Sequence, residues 1–207
     1  MRLPALLLTV ALALSACAKV ADRDFIAATM REGAFGEPRS AADSLVVASY
    51  NIQFSQNIDQ AIVDLQSDPW LASADILLLQ EMDPDGTERI ARTLDYDFVY
   101  YPATLHPKHD MPFGNAVLSR WPITQHYFIA LPVQSPFPVT SRIVVVAQLD
   151  TGGEPLVAAS IHSSTVVVSR AVRLEQFESV RDSLTHYEGP VVLGCLLYTS
   201  DAADEDC

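Results

Sequence analysis

Short apolar stretches alternate with helical patterns along most of the chain and predict a layered α/β domain. Stretches rich in Val, Ile and Leu predict buried strands at residues 45–50, 74–79, 98–101, 115–119, 141–149, 156–161 and 191–194. Helical spacing of apolar residues predicts helices near residues 25–30, 58–65, 87–94 and 169–187. The last of these helices is amphipathic, with a predicted buried side of Ala171, Leu174, Phe177 and Leu184. Because a hairpin around Thr151 interrupts the alternation, we expect mixed sheets covered by helices, in one domain starting at residue 44.

The first residues have the pattern of a secretory signal. The basic residue Arg2 precedes an apolar run at residues 5–14 that is too short for a comfortable membrane span. The sequence Leu-Ser-Ala-Cys at residues 14–17 resembles a bacterial lipobox, whose cysteine is acylated. We therefore expect a lipoprotein signal peptide at residues 1–16, a lipid on Cys17 and a polar tether at residues 17–43. The alternative is an ordinary signal peptide with a chance cysteine.

The predicted anchor also predicts a location. An acyl chain attaches a folded domain to a bilayer without a spanning helix. The residue after Cys17 is Ala18 and not an aspartate, which in bacterial lipoproteins favours the outer membrane. We expect a monomer in the bacterial cell envelope, on the periplasmic or exterior face.

The end of the chain departs from this pattern. The apolar run before Gly194 is followed by Cys-Leu-Leu-Tyr-Thr-Ser-Asp-Ala-Ala-Asp-Glu. This peptide is the translation of a transposase-type sequencing adapter. We therefore expect residues 195–207 to be an artefactual tail, with a native polar tail as the alternative.

Charge and cysteine content narrow the function. The chain has 13 basic and 26 acidic residues, a net charge of -13. Without the predicted signal and tail, 12 basic and 22 acidic residues remain, a net charge of -10. Such a domain repels nucleic acid unless a local basic groove offsets the field, and it suits a site that gathers divalent cations. Cys17 is the only cysteine outside the tail, which excludes a disulfide framework and a cysteine-type zinc site.

Three of the predicted strands are followed by a polar residue that is awkward in a core. These residues are Asn51, Glu81 and His162. Taken singly, each could be a cap or a hydrogen-bonded loop residue. Because ligand sites in sheet proteins cluster at the carboxyl ends of strands, the three together predict a site.

Five motifs, in order, resemble the endonuclease/exonuclease/phosphatase superfamily of metal-dependent phosphoesterases. They are Ser-Tyr-Asn-Ile at residues 49–52, Asp-Ile-Leu-Leu-Leu-Gln-Glu at 75–81, Gly-Asn-Ala-Val-Leu-Ser-Arg at 114–120, Ser-Arg at 141–142 and Ala-Ser-Ile-His at 159–162. The resemblance covers residues 45–194. It implies the DNase I-like fold, a four-layer α/β sandwich of two mixed β-sheets flanked by helices. The family's next motif, Gly-Asp-Phe-Asn, would begin at Gly194, so the domain at residues 44–194 is expected to be incomplete at its C-terminus.

The resemblance also implies a role for each matched residue. Glu81 would be the carboxylate ligand of a catalytic Mg²⁺, with Mn²⁺ or Ca²⁺ as alternatives, and Asn51 would help to place the metal or the phosphate. Arg142 and Asn115 would bind the substrate phosphate. His162 would hydrogen-bond the phosphoryl group or serve the leaving group. Outside the resemblance, Arg142 would be a surface ion pair and His162 a neutral histidine in a turn.

The implied activity is hydrolysis of a phosphodiester or phosphomonoester by metal-activated water, without a covalent intermediate. The family's later catalytic Asp, Asn and His are not found here, so we expect this chain to be unstable, aggregation-prone and inactive. A lipid or small-molecule ester is a better substrate than nucleic acid, given the acidic charge and the anchor. The alternatives are a nuclease and a non-catalytic, membrane-anchored binding lipoprotein. A loop at residues 102–113 contains His106, Lys108, His109 and Asp110. It would line the substrate groove or be simply exposed, and the alternative is a second metal site.

Overall fold

The computed structural model describes residues 23–37, 44–105, 110–132, 135–136, 139–163 and 169–196. The predicted signal peptide, Cys17, the loop residues 106–109 and the tail beyond residue 196 lie outside the described residues. The helices are α1 (Arg23–Thr29), α2 (Ile58–Ser67), α3 (Pro69–Ala72), α4 (Pro84–Thr93) and α5 (Arg170–Leu184). The strands are β1 (Arg31–Gly33), β2 (Val47–Asn51), β3 (Ile76–Met82), β4 (Asp97–Leu105), β5 (Pro112–Ser119), β6 (Ile123–Ala130), β7 (Ser135–Pro136), β8 (Val139–Thr140), β9 (Ile143–Leu149), β10 (Leu156–His162) and β11 (Val191–Leu196).

Two mixed sheets form the centre of the molecule. The first has the order β1-β4-β5-β3-β2, in which β2 and β3 are parallel and the other neighbours are antiparallel. The second has the order β11-β10-β9-β6, in which β10 and β11 are parallel. Strands β7 and β8 form a separate antiparallel pair.

Three apolar clusters separate the layers, because side chains alternate between the two faces of each strand. The cluster between the sheets includes Leu78 from β3 and Val145 from β9. On the outer face of the first sheet, Leu77 packs in a cluster with residues of α2 and α4. On the outer face of the second sheet, Val146 and Val157 pack with residues of α5. This arrangement is a four-layer α/β sandwich, and it confirms the predicted fold class.

Part of the segment predicted as a tether packs on the domain. Helix α1 places Ile26 in the cluster between the sheets, and β1 pairs with β4. The pattern also failed to predict β6. That strand lies at an edge of the second sheet and most of its residues are only partly buried, so it shows no clear apolar alternation.

The predicted buried side of α5 is wrong in its first half. Leu174 is 52% exposed, and the buried residues are Gln176, Val180 and Leu184. Gln176 is buried because its Nε2 donates a hydrogen bond to the backbone oxygen of Pro132, 3.1 Å away. The buried face of α5 is therefore rotated from the predicted one, and it includes a polar side chain that is hydrogen-bonded to backbone.

The last strand extends beyond the predicted C-terminal bound of the domain. Strand β11 continues two residues past Gly194, and Cys195 and Leu196 pair with β10.

None of the helices in the described part of the chain has the length and apolar character needed to cross a bilayer.

Candidate active site

The three polar strand ends predicted from the sequence meet at one edge of the sandwich. Asn51 is the last residue of β2, and Glu81 precedes the last residue of the parallel strand β3. His162 is the last residue of β10 in the other sheet. Arg142 directly precedes β9, which is antiparallel to β10, so it reaches the same edge.

A β-bulge places Glu81 in the site. Regular alternation would turn Glu81 toward α2 and α4, like Leu79, but the register with β5 shifts between Gln80 and Met82. Met82 takes the place in the outer cluster, and Glu81 adopts a φ of 60°. A left-handed non-glycine residue costs on the order of 1–3 kcal/mol and is typical of functional sites. The backbone is therefore strained where the carboxylate leaves the strand pattern.

Gly114 makes room for this bulge. It pairs with Met82 on one side and with Pro102 on the other, and the register of both pairings shifts beside it. A Cβ atom at this position would lie 2.0 Å from the backbone oxygen of Tyr101. Only glycine allows β4 and β5 to approach this closely.

A chain of polar contacts runs across the site from one sheet to the other. Asn51 Nδ2 donates a hydrogen bond to Glu81 Oε1 at 2.9 Å, and Asn51 Oδ1 accepts one from the backbone N–H of Gln53 at 2.8 Å. The distance from Glu81 Oε1 to His162 Nε2 is 3.7 Å. On the other side of the ring, Arg142 donates from a guanidinium nitrogen to His162 Nδ1 at 3.0 Å. Asn51 and Arg142 thus hold Glu81 and His162 in fixed orientations.

His162 is a neutral imidazole with one defined tautomer. Burial, and then the positive charge of Arg142, lower its pKa from 6.5 to about 3. Because Arg142 can only donate, Nδ1 must accept, and the proton resides on Nε2. Nε2 is buried and has no hydrogen-bond partner among the described residues. It is therefore a donor available to a ligand that enters beside Glu81.

The residues at this edge fit a small hard cation that retains water ligands. No group of three or more His, Cys, Asp or Glu in the described ranges is arranged to hold a metal ion. Mg²⁺ is commonly bound through one or two carboxylates together with waters and substrate oxygens, so Glu81 alone can suffice. Ca²⁺ takes six to eight oxygen ligands and fits this donor set less well.

Asn115 lies deeper than its predicted role requires. It is 2% exposed, and its Nδ2 donates to the backbone oxygens of Ile143 at 2.9 Å and Ser160 at 3.4 Å. These contacts join β5 to the start of β9, next to Arg142. A phosphate contact by Asn115 stays a prediction, and the observed contacts show a link between the two sheets.

Sequence reasoning missed a second polar link between the sheets. Gln80 Nε2 lies within hydrogen-bond distance of the oxygens of Ser49 and Ser160, at 3.2 and 3.1 Å, and Ser160 Oγ donates to the Leu79 oxygen at 2.8 Å. Gln80 and Ser160 are almost fully buried. The available signal was the occurrence of polar residues inside apolar strand patterns.

The sequence profile of the Endonuclease/Exonuclease/phosphatase family matches residues 48–204, more than half of the chain. The protein therefore belongs to this family. A search of curated protein sequences found no match.

Solved structures of the same fold resemble the chain. TDP2 from D. rerio, complexed with single-strand DNA product, has 17% identity and a TM-score of 0.59, and the match covers 79% of this chain and 65% of that one. A mannosyl-6-phosphatase from Bacteroides thetaiotaomicron has 18% identity and a TM-score of 0.55, with 72% and 64% covered. An endonuclease/exonuclease/phosphatase family protein from the same species has 17% identity and a TM-score of 0.58, with 77% and 64% covered. The chain spans just under two thirds of the length of these structures, and the likeness shows the fold.

Proposed function

We propose that the protein is a divalent-metal-dependent phosphoester hydrolase. The observation that carries this proposal is the cluster of Glu81, Asn51, His162 and Arg142 at one edge of both sheets. It combines a buried carboxylate, a neutral imidazole N–H and a guanidinium, which together suit a metal ion and a phosphate. Family membership supports the same chemistry.

Each residue has a defined task in this proposal. Glu81 would hold Mg²⁺ or Mn²⁺, and the bound metal would supply charge neutralisation at the phosphoryl oxygens and a more acidic water. Asn51 orients the Glu81 carboxylate through its side-chain N–H. His162 donates a hydrogen bond from its Nε2–H to a phosphoryl oxygen, and Arg142 neutralises charge that develops on the phosphoryl group.

His162 is a poor candidate for the base that activates water. A group with a pKa of about 3 has little tendency to take a proton at neutral pH. Accepting one would also place a second positive charge beside Arg142. We therefore expect the described cluster to bind metal and phosphate, and to give no rapid turnover by itself.

Metal binding tests the proposal without depending on turnover. Titration with Mn²⁺, followed by electron paramagnetic resonance, should show one site that Glu81→Gln weakens at least tenfold. Glu175→Gln is the matched control, because Glu175 is an exposed carboxylate on α5. Equal Mn²⁺ affinity in Glu81→Gln and the unaltered protein would show that Glu81 is not the ligand.

A lipid or small-molecule phosphoester is the favoured substrate. The net charge of -13 opposes binding to a polyanion. The similarity to a structure that contains a DNA product supports a nuclease as the second candidate. Mg²⁺-dependent release of phosphocholine from vesicles, measured beside nicking of plasmid DNA, separates the two.

We further infer that the protein is a monomer anchored in the cell envelope through a lipid on Cys17. The lipobox-like residues 14–17 support the anchor. Mass spectrometry of the membrane fraction should detect an acylated Cys17, and Cys17→Ser should release the protein from that fraction. Retention of the serine variant would exclude the anchor.

A further inference from the structure

A small apolar cavity opens beside Glu81. Its volume is about 160 Å³, and its lining includes Phe54, Met82, Met111 and Phe113. An apolar cavity of about 150 Å³ is large enough for one benzene ring. The space therefore matches a single aromatic group.

The aromatic wall of this cavity continues into the phosphate site. The ring centroids of Phe54 and Phe113 are 5.4 Å apart, and those of Phe113 and His162 are 6.0 Å apart. The Arg142 guanidinium carbon lies 6.0 Å from the Phe113 centroid. A phosphoester that contacts His162 Nε2 and a metal held by Glu81 would thus have one ester substituent next to Phe113.

A strained turn holds Phe54 at the mouth of the cavity. Gln53, Phe54 and Ser55 have φ values of 45°, 60° and 52°, which non-glycine residues rarely adopt in succession. The turn is fixed by the contact of Gln53 with Asn51 and by a 2.9 Å hydrogen bond from the Asp83 N–H to Ser55 Oγ. This backbone keeps an aromatic ring 37% exposed where a relaxed loop could bury it or turn it away.

The polar part of the lining restricts the charge of the occupant. Glu81 and Asp83 both border the cavity, and both are carboxylates. A second anionic group in this space would meet no basic residue among the described lining, while an uncharged ring would contact Phe54 and the methionine sulfurs favourably. The cavity favours a neutral aromatic substituent over a further phosphate.

We propose that this cavity is a specificity subsite for a neutral aromatic substituent of the phosphoester, with Phe54, Met111 and Phe113 as its contact residues. The inference rests on the proposed function, because it takes the phosphate to bind at the cluster of Glu81, His162 and Arg142. It predicts preference for aryl esters over alkyl esters of the same charge. It also predicts that a carboxylate on the ring abolishes that preference.

The test measures binding of two phosphonates, which are not hydrolysed, in the presence of Mg²⁺. Methionine methyl groups labelled with ¹³C report the position, because Met82 and Met111 line the cavity and Met30 lies elsewhere, partly buried against the cluster between the sheets. Phenylphosphonate should shift Met82 and Met111 but not Met30, and should bind about tenfold more tightly than methylphosphonate. Removing roughly half of one aromatic ring from water corresponds to such a gain. 4-Carboxyphenylphosphonate should lose it.

Variants show which side chains provide the gain. Phe54→Ala and Met111→Ala should each reduce the preference for phenylphosphonate severalfold and leave methylphosphonate affinity unchanged. Met111 is 50% exposed, so its truncation should not unfold the chain, and an unchanged Met30 signal verifies folding. Trp70→Ala is the control, because Trp70 is a 79% exposed aromatic outside the cavity.

The outcomes separate the subsite from the proposed function. Equal affinity for the two phosphonates would overturn the subsite and leave phosphate binding intact. Absence of binding by either phosphonate would overturn the proposed function and the subsite together. A preference for phenylphosphonate that survives Phe54→Ala and Met111→Ala would also overturn the assignment to this cavity.

Discussion

Replacement of Gly114 by alanine tests how the fold creates the site. A Cβ at Gly114 would lie 2.0 Å from the Tyr101 oxygen and 2.8 Å from the Pro102 Cα, both of which are backbone atoms. Ordinary contact begins near 3.4 Å, so β4 and β5 would have to separate by more than an ångström. Overpacking of cores usually costs about 1–3 kcal/mol, and a backbone clash belongs at the upper end of that range. We expect Gly114→Ala to lower the free energy of unfolding by about 3 kcal/mol.

Gly153→Ala is the matched control. No heavy atom lies within 4 Å of the Cβ that this change would add. Since alanine restricts the unfolded chain more than glycine does, the control should be neutral or more stable by about 0.4–1 kcal/mol. The same substitution therefore has opposite expected signs at two positions.

Urea unfolding, followed by circular dichroism and fluorescence, measures the change in the free energy of unfolding for both variants, and thermal unfolding gives their Tm. For a chain of this length, a loss of 3 kcal/mol corresponds to a fall in Tm of about 6–12 °C. Mn²⁺ affinity should fall as well in Gly114→Ala, because the Glu81 bulge forms opposite Gly114. If the two variants differ by less than about 1 kcal/mol, the close approach of β4 and β5 is not what shapes the site.

Three further predictions concern single side chains. Because the pKa of His162 is about 3 in the folded protein and near 6.5 when unfolded, the unfolded state binds the proton first as pH falls, and stability is lost between pH 6.5 and 3. In metal-free protein, the loss of stability caused by this proton should reach about 3 kcal/mol at pH 4.5 and should be absent in His162→Gln. Identical pH profiles of stability for the variant and the unaltered protein would refute the prediction. Arg142→Gln should raise the pKa of His162, measured by NMR, yet leave it below 6.5 because burial remains; an unchanged pKa would show that Arg142 exerts no charge effect. Leu193 is 39% exposed in an apolar groove between α5 and β11, so Leu193→Lys should reduce the expected aggregation of the chain in light scattering. The same change at the exposed Trp70 should have less effect, and equal aggregation of the two variants would refute the prediction.

The layered fold could be predicted because a buried strand has a run of apolar residues that can be recognised in the sequence. Strands β3, β9 and β10 are buried on both faces and read as nearly continuous apolar runs. The edge strand β6 is only partly buried and has no such apolar run. Helix α5 shows the other limit, since the burial of Gln176 depends on a backbone oxygen 44 residues away in sequence.

In the site, too, features with a local sequence pattern could be predicted and features that depend on distant contacts could not. The meeting of Asn51, Glu81 and His162 at one edge could be predicted because each follows an apolar run, and that of Arg142 because of its place in the family motifs. The bulge at Glu81 and the strained turn at Phe54 could not, because no glycine or asparagine marks their left-handed residues. Their conformations are imposed by contacts with β5 and with Asp83.

The buried polar residues explain how a site divided between two sheets keeps its geometry. Glu81 belongs to one sheet and His162 to the other, and their side chains lie 3.7 Å apart. Apolar packing between sheets is non-directional, so by itself it would tolerate small sliding movements of one sheet over the other. Hydrogen bonds have a narrow range of length and angle, and Gln80, Ser160 and Asn115 make them across the interface directly beneath the site. Since breaking any of them would leave a buried polar group unsatisfied, they fix the sheet spacing that holds the Glu81 carboxylate beside the His162 imidazole.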